Sequence, residues 1–239
     1  VSANPNYVFY TNGFFSRIIP VVFGDYIADT SGATVTSTLA QGIAYQGRAG
    51  LNGELDYYPH DLERAGPNLL AAPHWAFNLY AAPGGLVASV SFLGHLGGAI
   101  DYIGYRAGRG GDATISVALR PTRHLQFQFD GAFQYVNLSG ERLFTSQVER
   151  LKATYVFDSR LFLRAIGQYV RTDYEPSLYP VPVPATTGGF QGSALLGYQL
   201  DWQSVVYVGY GDSRVLTENA QLVKAGRDFF LKVSYAFQR

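Results

Sequence analysis

The sequence predicts an all-β fold: an antiparallel transmembrane β-barrel of about 12 strands, within a range of roughly 10–14. Apolar and polar residues alternate along many segments, and each segment is long enough to cross a bilayer at a tilt. Only 15% of the residues are charged, well below the ~25% usual in soluble domains. A further 15% are aromatic, nearly all of them Tyr or Phe.

The composition also narrows the class of protein. The 239 residues carry no net charge, and no basic run with interleaved aromatic residues suggests nucleic-acid binding. The absence of Cys is compatible with an oxidising compartment entered without disulfides. We expect residues 1–239 to form a single barrel domain. No signal peptide is recognisable and the first residue is Val1, so we expect that either a signal peptide has been removed or the start of the chain is missing, in which case 1–239 would be the C-terminal part of a longer precursor.

The C-terminal segment 227–237 shows the alternation most clearly. Every second residue from Phe229 to Phe237 is large and apolar, while Lys232 and Ser234 lie on the other face. The last strand of a barrel is expected to pair with the first and to turn one face to lipid. This segment is also similar to the signal read by the barrel-assembly machinery, although two polar residues follow the last aromatic one here.

The same alternation occurs in segments 124–137, 147–157, 160–170 and 190–200. We expect one face of these strands to contact lipid and the other to line the barrel interior. The expected lipid-facing residues are Leu125, Phe127, Phe129, Leu161, Leu163, Phe229, Leu231 and Tyr235. The expected lumen-facing residues are Gln128, Asp130, Arg150, Lys152, Arg164, Gln168 and Lys232.

A soluble β-sandwich would produce the same alternation, with its apolar face buried. The strands are too long for that fold, in which strands average ~5–6 residues. Their polar faces carry Gln, Arg, Lys and Asp, which suit a wet lumen, and aromatic residues cluster toward the strand ends. A transmembrane helix is not expected, because the best candidate, 69–100, is interrupted by prolines and glycines.

The predicted connections alternate in length, as they do in bacterial barrels with short periplasmic turns and longer extracellular loops. Long loops are expected at 174–189 and 215–226, an intermediate one at 138–143, and short turns at 121–123, 158–159 and 201–203. The proline-rich loop 174–189 is expected to be exposed, to fold into the pore mouth or to contact a partner.

The first half of the chain is less regular. Strands are expected at 7–28, 33–47, 51–59, 74–82, 86–96 and 99–107, with loops at 60–73 and 106–112.

No catalytic, cofactor-binding or metal site is predicted. Glu54, Asp56, His60, Asp61 and Glu63 place a histidine beside carboxylates, but no nucleophile spacing accompanies them. The four histidines of the chain lie far apart and lack metal-ligand spacing. A solvated strand end is the simpler interpretation.

The four basic residues expected in the interior outnumber the two acidic ones there, Asp130 and Asp228, which predicts a mildly positive lumen. If water fills the lumen, anions would be enriched. Alternatively, the charges pair with one another in a dry network that plugs a narrow barrel.

Three segments of the second half carry a family resemblance: ERLKATYVFDSRLFLRAIGQYVRTD (149–173), SALLGYQLDWQSVVYVGYGDS (193–213) and GRDFFLKVSYAFQR (226–239). In this order they resemble the C-terminal β-barrel of an uncharacterised bacterial outer-membrane family. Its members carry an N-terminal carbohydrate-binding-like domain before the barrel. The similarity covers roughly residues 112–239, and it implies an outer-membrane location but no reaction.

Two functional hypotheses of different classes follow. The first is a porin-like pore for passive passage of small solutes across the outer membrane of a Gram-negative bacterium. The second is a non-conducting anchor or subunit of an outer-membrane complex. A barrel hydrolase has the least support, so we expect no enzymatic activity and no cofactor. The expected partners are outer-membrane lipid, the barrel-assembly machinery and other protein subunits.

Substituting Arg on the expected lipid face tests the orientation of the strands. Phe127→Arg should cost ~2–4 kcal/mol and impair assembly, because it places a charge in lipid near the bilayer midplane. Gln128→Arg, on the opposite face, should be tolerated. The measurement is the yield and thermal stability of the folded protein, and equal damage from both changes would favour a sandwich.

Overall fold

The computed structural model describes residues 7–235 as one antiparallel sheet of fourteen strands. The strands are β1 (Phe9–Tyr10), β2 (Phe15–Ala28), β3 (Thr34–Gly47), β4 (Asn52–Ala65), β5 (Asn68–Ala71), β6 (His74–Ala81), β7 (Val87–Asp101), β8 (Arg106–Leu119), β9 (Leu125–Leu138), β10 (Glu141–Val156), β11 (Leu161–Tyr174), β12 (Thr186–Gln199), β13 (Ser204–Leu216) and β14 (Leu222–Tyr235). A short 3₁₀ helix covers Pro176–Leu178. No helix within residues 7–235 is both long enough and apolar enough to span a membrane.

The fourteen strands fill twelve full-length positions in the sheet. β1 has only two residues, and β5 and β6 both pair with β4, one beyond the other. β5 and β6 therefore act as one interrupted strand. The expected all-β fold and its number of about 12 strands are confirmed for the described residues.

The interruption between β5 and β6 has a local cause at Pro73, which has no N–H to donate to a ladder. The neighbouring strand β7 adapts to it with two glycines. Gly97 has a φ of +144°, and the N–H of Gly98 donates to the carbonyl of Pro73 at 2.7 Å. A Cβ on Gly98 would lie 2.4 Å from the carbonyl carbon of Ala72, so a larger residue would not fit.

Several expected loops are strands instead. Most of 60–73 belongs to β4 and β5, and 106–112 begins β8. The glycines of β8 allow close strand packing rather than forming a loop, since a Cβ on Gly110 would lie 2.3 Å from the carbonyl oxygen of Tyr135. The loop expected at 215–226 shrinks to 217–221, and that at 138–143 shrinks to the turn 139–140.

The connections lie at two rims of the sheet. We call one the loop rim, and it carries 29–33, 66–67, 102–105, 139–140, 175–185 and 217–221. The opposite end is the turn rim, and it carries 48–51, 82–86, 120–124, 157–160 and 200–203. Only 175–185 is long, so the alternation of lengths is weaker than expected.

Aspartates close two turns at the turn rim. The Asp158 carboxylate accepts hydrogen bonds from the N–H groups of Arg160 at 2.7 Å and Leu161 at 2.9 Å. The Asp201 carboxylate likewise accepts one from the N–H of Gln203 at 2.8 Å. These hydrogen bonds hold the pKa of both carboxyl groups below the usual value.

The sheet has two free edges among the described residues. β14 pairs only with β13, and no ladder joins it to β1 or β2 within residues 7–235. Nearly every residue of β14 is exposed. The expected pairing of the last strand with the first is therefore not seen there, and Phe237 lies outside the described residues.

The sheet does not enclose an extensive dry core. The buried apolar residues of the described chain are Ala40, Leu51, Ala65, Ala72, Val136, Leu138, Leu143 and Leu216. Three of them form one small cluster near the loop rim: Val136, Leu138 and Leu143. Large apolar side chains such as Leu151 and Val208 are half exposed, at 50% each. This burial pattern excludes the soluble sandwich, which would bury that face.

Candidate functional site

The strand register brings the expected lumen-facing residues onto one face of the sheet, because directly opposed residues share a face. One row crosses five strands, from Ser116 through Asp130, Arg150 and Gln168 to Gln191. We call this side the polar face.

The other expected lumen-facing residues lie on the polar face too. Gln128 is opposite Lys152, Arg164 is opposite Thr154, and Lys232 lies four residues along β14 from Asp228. The eight residues expected to face lipid all lie on the opposite side, which we call the apolar face. On the apolar face of β14, Phe229 is 81% exposed and Leu231 71%.

Four basic residues of the polar face, on β10, β11 and β14, make no direct polar contact within residues 7–235. Arg150, Lys152, Arg164 and Lys232 form neither a salt bridge nor a hydrogen bond there. Three of them are exposed and Lys152 is partly buried. Asp130 lies opposite Arg150 but accepts its hydrogen bonds from Ser116 at 2.6 Å and Gln128 at 3.1 Å.

The first half of the chain supplies acidic residues that the sequence pattern did not assign to the interior. On the polar face, β2–β8 carry seven acidic residues and two basic ones: Asp25, Glu54, Asp56, Asp61, Glu63, Asp101 and Asp112, with Arg17 and Arg106. β9–β14 carry three acidic residues and four basic ones: Asp130, Glu141 and Asp228, with Arg150, Lys152, Arg164 and Lys232. The expectation of a mildly positive interior is therefore wrong for the whole face.

A bulge explains why sequence alternation missed two of these acidic residues, Asp61 and Glu63. Between β3 and β4 the register shifts, so that Leu39 is opposite His60 whereas Gln41 is opposite Tyr57. The extra residue in β4 reverses the alternation beyond it. Asp61 therefore shares the polar face with Asp56 despite the odd spacing between them.

Asp56 and Glu54 form a close acidic pair on β4. Asp56 is 6% exposed, and its Oδ1 has no hydrogen-bond partner. Gly42 on β3 makes the space for it, because a Cβ there would lie 1.9 Å from that oxygen. His60 does not join the pair, and its Nε2 instead lies 3.1 Å from the Ser37 hydroxyl. No cluster of three or more His, Cys, Asp or Glu within residues 7–235 is arranged to hold a metal ion.

Two histidines that are distant in sequence meet on the polar face. The His74 ring stacks on Tyr58 with centroids 4.4 Å apart, and it meets His95 edge-on at 5.4 Å. The Nδ1 of His95 lies 3.0 Å from a carboxylate oxygen of Asp112. The pairing of β6 with β7 creates this group, so only a correct hairpin register would have predicted it from sequence.

The long loop 175–185 folds onto the polar face at the loop rim. Leu178 and Tyr179 pack against the cluster of Val136, Leu138 and Leu143. Arg106 holds the loop from β8, because its Nη2 donates to the Leu178 carbonyl at 2.7 Å and to the Asp101 carboxylate at 2.7 Å. Burial raises the pKa of Tyr179 to about 12. Leu178 and Tyr179 are therefore partly buried against the sheet, whereas most of 175–185 is exposed.

Removing the Arg106 contacts should release this loop. In Arg106→Gln the Asp101 carboxylate, only 2% exposed, would lose its cation, and the Leu178 carbonyl would lose its donor. Limited proteolysis should then cut within 175–185 faster than in the parent protein. Arg109→Gln on the same strand, whose side chain makes no contact with this loop, is the matched control, and equal cleavage of the two variants would contradict the assignment.

Comparisons with known proteins agree on the architecture. No protein-family model matches the chain, and no curated protein matches it. The outer-membrane channel DcaP of Acinetobacter baumannii matches with a TM-score of 0.52 at 10% sequence identity, over 97% of this chain and 83% of that one. OmpT, an outer-membrane protein of Vibrio cholerae, gives a TM-score of 0.41 at 9% identity, over 98% of this chain and 94% of that one.

The first of these two matches shows that the chain has the fold of an outer-membrane β-barrel. At its lower TM-score, the second carries no argument. The resemblance to a family with an N-terminal carbohydrate-binding-like domain stays a prediction.

Proposed function

We propose that the chain forms a channel in a bacterial outer membrane through which small polar solutes pass passively, with a preference for cations. The apolar face would contact lipid, and the polar face would line a water-filled lumen. In this arrangement the expected lipid-facing and lumen-facing residues keep the roles that their alternation predicts.

The observation that carries this proposal is the set of unpaired charges on the polar face. Arg150, Lys152, Arg164 and Lys232 lack salt bridges and hydrogen bonds among the described residues. In a dry plug each unmatched charge would cost several kcal/mol, so these side chains need water around them. The small number of buried apolar residues supports the same conclusion.

The preference for cations follows from the negative net charge of the polar face. Acidic residues outnumber basic ones on β2–β8, and the Glu54–Asp56 pair has no salt bridge in the described chain. A narrow lumen with low-dielectric walls focuses the electric field of these carboxylates and concentrates cations.

A non-conducting anchor is the second candidate function. The loop 175–185, which packs over the polar face at the loop rim, favours it. If this loop closes the mouth, the barrel would serve to hold other subunits at the membrane. Outer-membrane lipid and the barrel-assembly machinery would be partners in either case.

Planar-bilayer recording of the purified chain tests the proposal. Discrete conductance steps are expected, with a reversal potential in a KCl gradient displaced toward the cation equilibrium. The double change Glu54→Gln with Asp56→Asn should move that potential toward anions, because it removes two negative charges from the lumen wall. Arg164→Gln should move the reversal potential toward the cation equilibrium, because it removes a positive charge from the lumen wall.

Glu149→Gln is the matched control, since it removes a carboxylate from the apolar face, where Glu149 lies opposite Tyr169. Its selectivity should equal that of the parent protein. Absence of conductance in folded, reconstituted protein would reject the channel and favour the anchor. An anion-preferring channel would reject the proposed role of the acidic residues.

A further inference from the structure

A row of polar and basic residues crosses the apolar face near the loop rim. Gly98, Arg109, Asn137 and Arg142 are successive neighbours on β7, β8, β9 and β10. The Arg142 guanidinium lies over the Tyr135 ring, 4.3 Å from its centroid. Two cations and an aromatic ring therefore stand side by side on a surface that is otherwise mainly apolar.

A groove of about 730 Å³ adjoins this row on the same face. Its larger side chains on the apolar face are Tyr57, Trp75, Leu96, Arg109 and Tyr135, and His74 of the polar face also lines it. Gly98 has no side chain to fill the groove on the apolar face, and Gly97, Gly108 and Gly110, at polar-face positions, line it as well. One end of the groove is apolar and aromatic, and the other end carries a guanidinium.

The two arginines lack acidic partners in the described part of the chain. Arg109 forms no salt bridge or hydrogen bond there, and Arg142 donates only to the Thr145 hydroxyl at 3.0 Å. Both side chains are exposed. An unpaired guanidinium at a membrane surface calls for an anion, and its planar fork matches phosphate geometry.

Within the described strands, the basic residues of the apolar face lie in the loop-rim half, whereas the acidic Glu149 lies near the middle of β10. Beyond the row, the loop-rim half carries Arg171, Asp173, Asp212, Arg214 and Arg227. The turn-rim half of the same face in β9–β11 presents apolar side chains such as Phe127, Leu163 and Tyr155. Cations at only one end fit a bilayer in which one leaflet carries more phosphate than the other.

We infer that Arg109 and Arg142 bind the phosphate of a phosphorylated glycolipid of the leaflet at the loop rim, and that an acyl chain of this lipid lies in the groove against Trp75 and Leu96. This inference rests on the proposed contact of the apolar face with lipid. Arg142 is held over Tyr135, so one half of the phosphate site is ordered before the lipid binds. The site also orients the barrel, because the loop rim then lies at the extracellular leaflet.

The test is native mass spectrometry of the detergent-purified chain with diphosphorylated lipid A as the probe. The parent protein should retain one lipid A, and the double variant Arg109→Gln, Arg142→Gln should bind it at least about 10-fold more weakly, as expected for the loss of two charge-assisted contacts. The matched control is Arg150→Gln with Arg164→Gln, which removes two arginines from the polar face and should leave lipid binding unchanged.

Two further measurements distinguish binding of the phosphorylated lipid from binding of phosphate alone. A dephosphorylated lipid A should bind about as weakly to the parent protein as diphosphorylated lipid A binds to the double variant, and inorganic phosphate should not displace the phosphorylated lipid. Equal binding by parent and double variant, or displacement by inorganic phosphate, would overturn the inference. Conductance of the double variant should match that of the parent protein. A failure of the lipid-binding inference is therefore distinguishable from a failure of the proposed channel.

Discussion

The pairing of backbone N–H and C=O groups between neighbouring strands is the constraint on which the rest of this structure depends. In hydrocarbon no water is available to replace a missing partner, and each unsatisfied group costs several kcal/mol. The sheet meets this demand with long antiparallel ladders, such as the thirteen residue pairs joining β10 and β11. The side chains are then free to differ completely between the two faces.

The irregular features of the sheet follow from the same constraint. Pro73 cannot donate to a ladder, and the chain compensates with a break, two glycines in β7 and a hydrogen bond from Gly98. The bulge in β4 leaves pairing intact on both sides of it while it brings Asp61 onto the polar face. Asp56 fits against β3 only because Gly42 has no side chain. Backbone hydrogen bonding thus sets the positions of these charged groups on the polar face.

The sequence predicted the fold where alternation was uninterrupted. Strands β9 to β12 and β14 follow simple period-two patterns, and their two sets of alternating residues fall on opposite faces of the sheet. The first half was harder, because a bulge reverses the alternation in β4, a proline interrupts pairing between β5 and β6, and glycine-rich strands such as β8 look like loops. The His74–His95 contact and the groove beside Arg109 depend on register between strands, which composition and local spacing do not encode.

The free edges of the sheet, β14 and the part of β2 that β1 leaves unpaired, give the most direct test of this account, because a sheet in lipid has to close. The chain has no native Cys, so pairs can be introduced cleanly: Leu231→Cys on β14 with Pro20→Cys, Val22→Cys or Tyr26→Cys on β2. Leu231→Cys with Val208→Cys, which are opposed in the structure, is the positive control. After oxidation in bilayers the account predicts an intramolecular disulfide for one of the three β2 positions. Cross-links only between chains, or none where the control forms, would contradict a sheet that closes on itself.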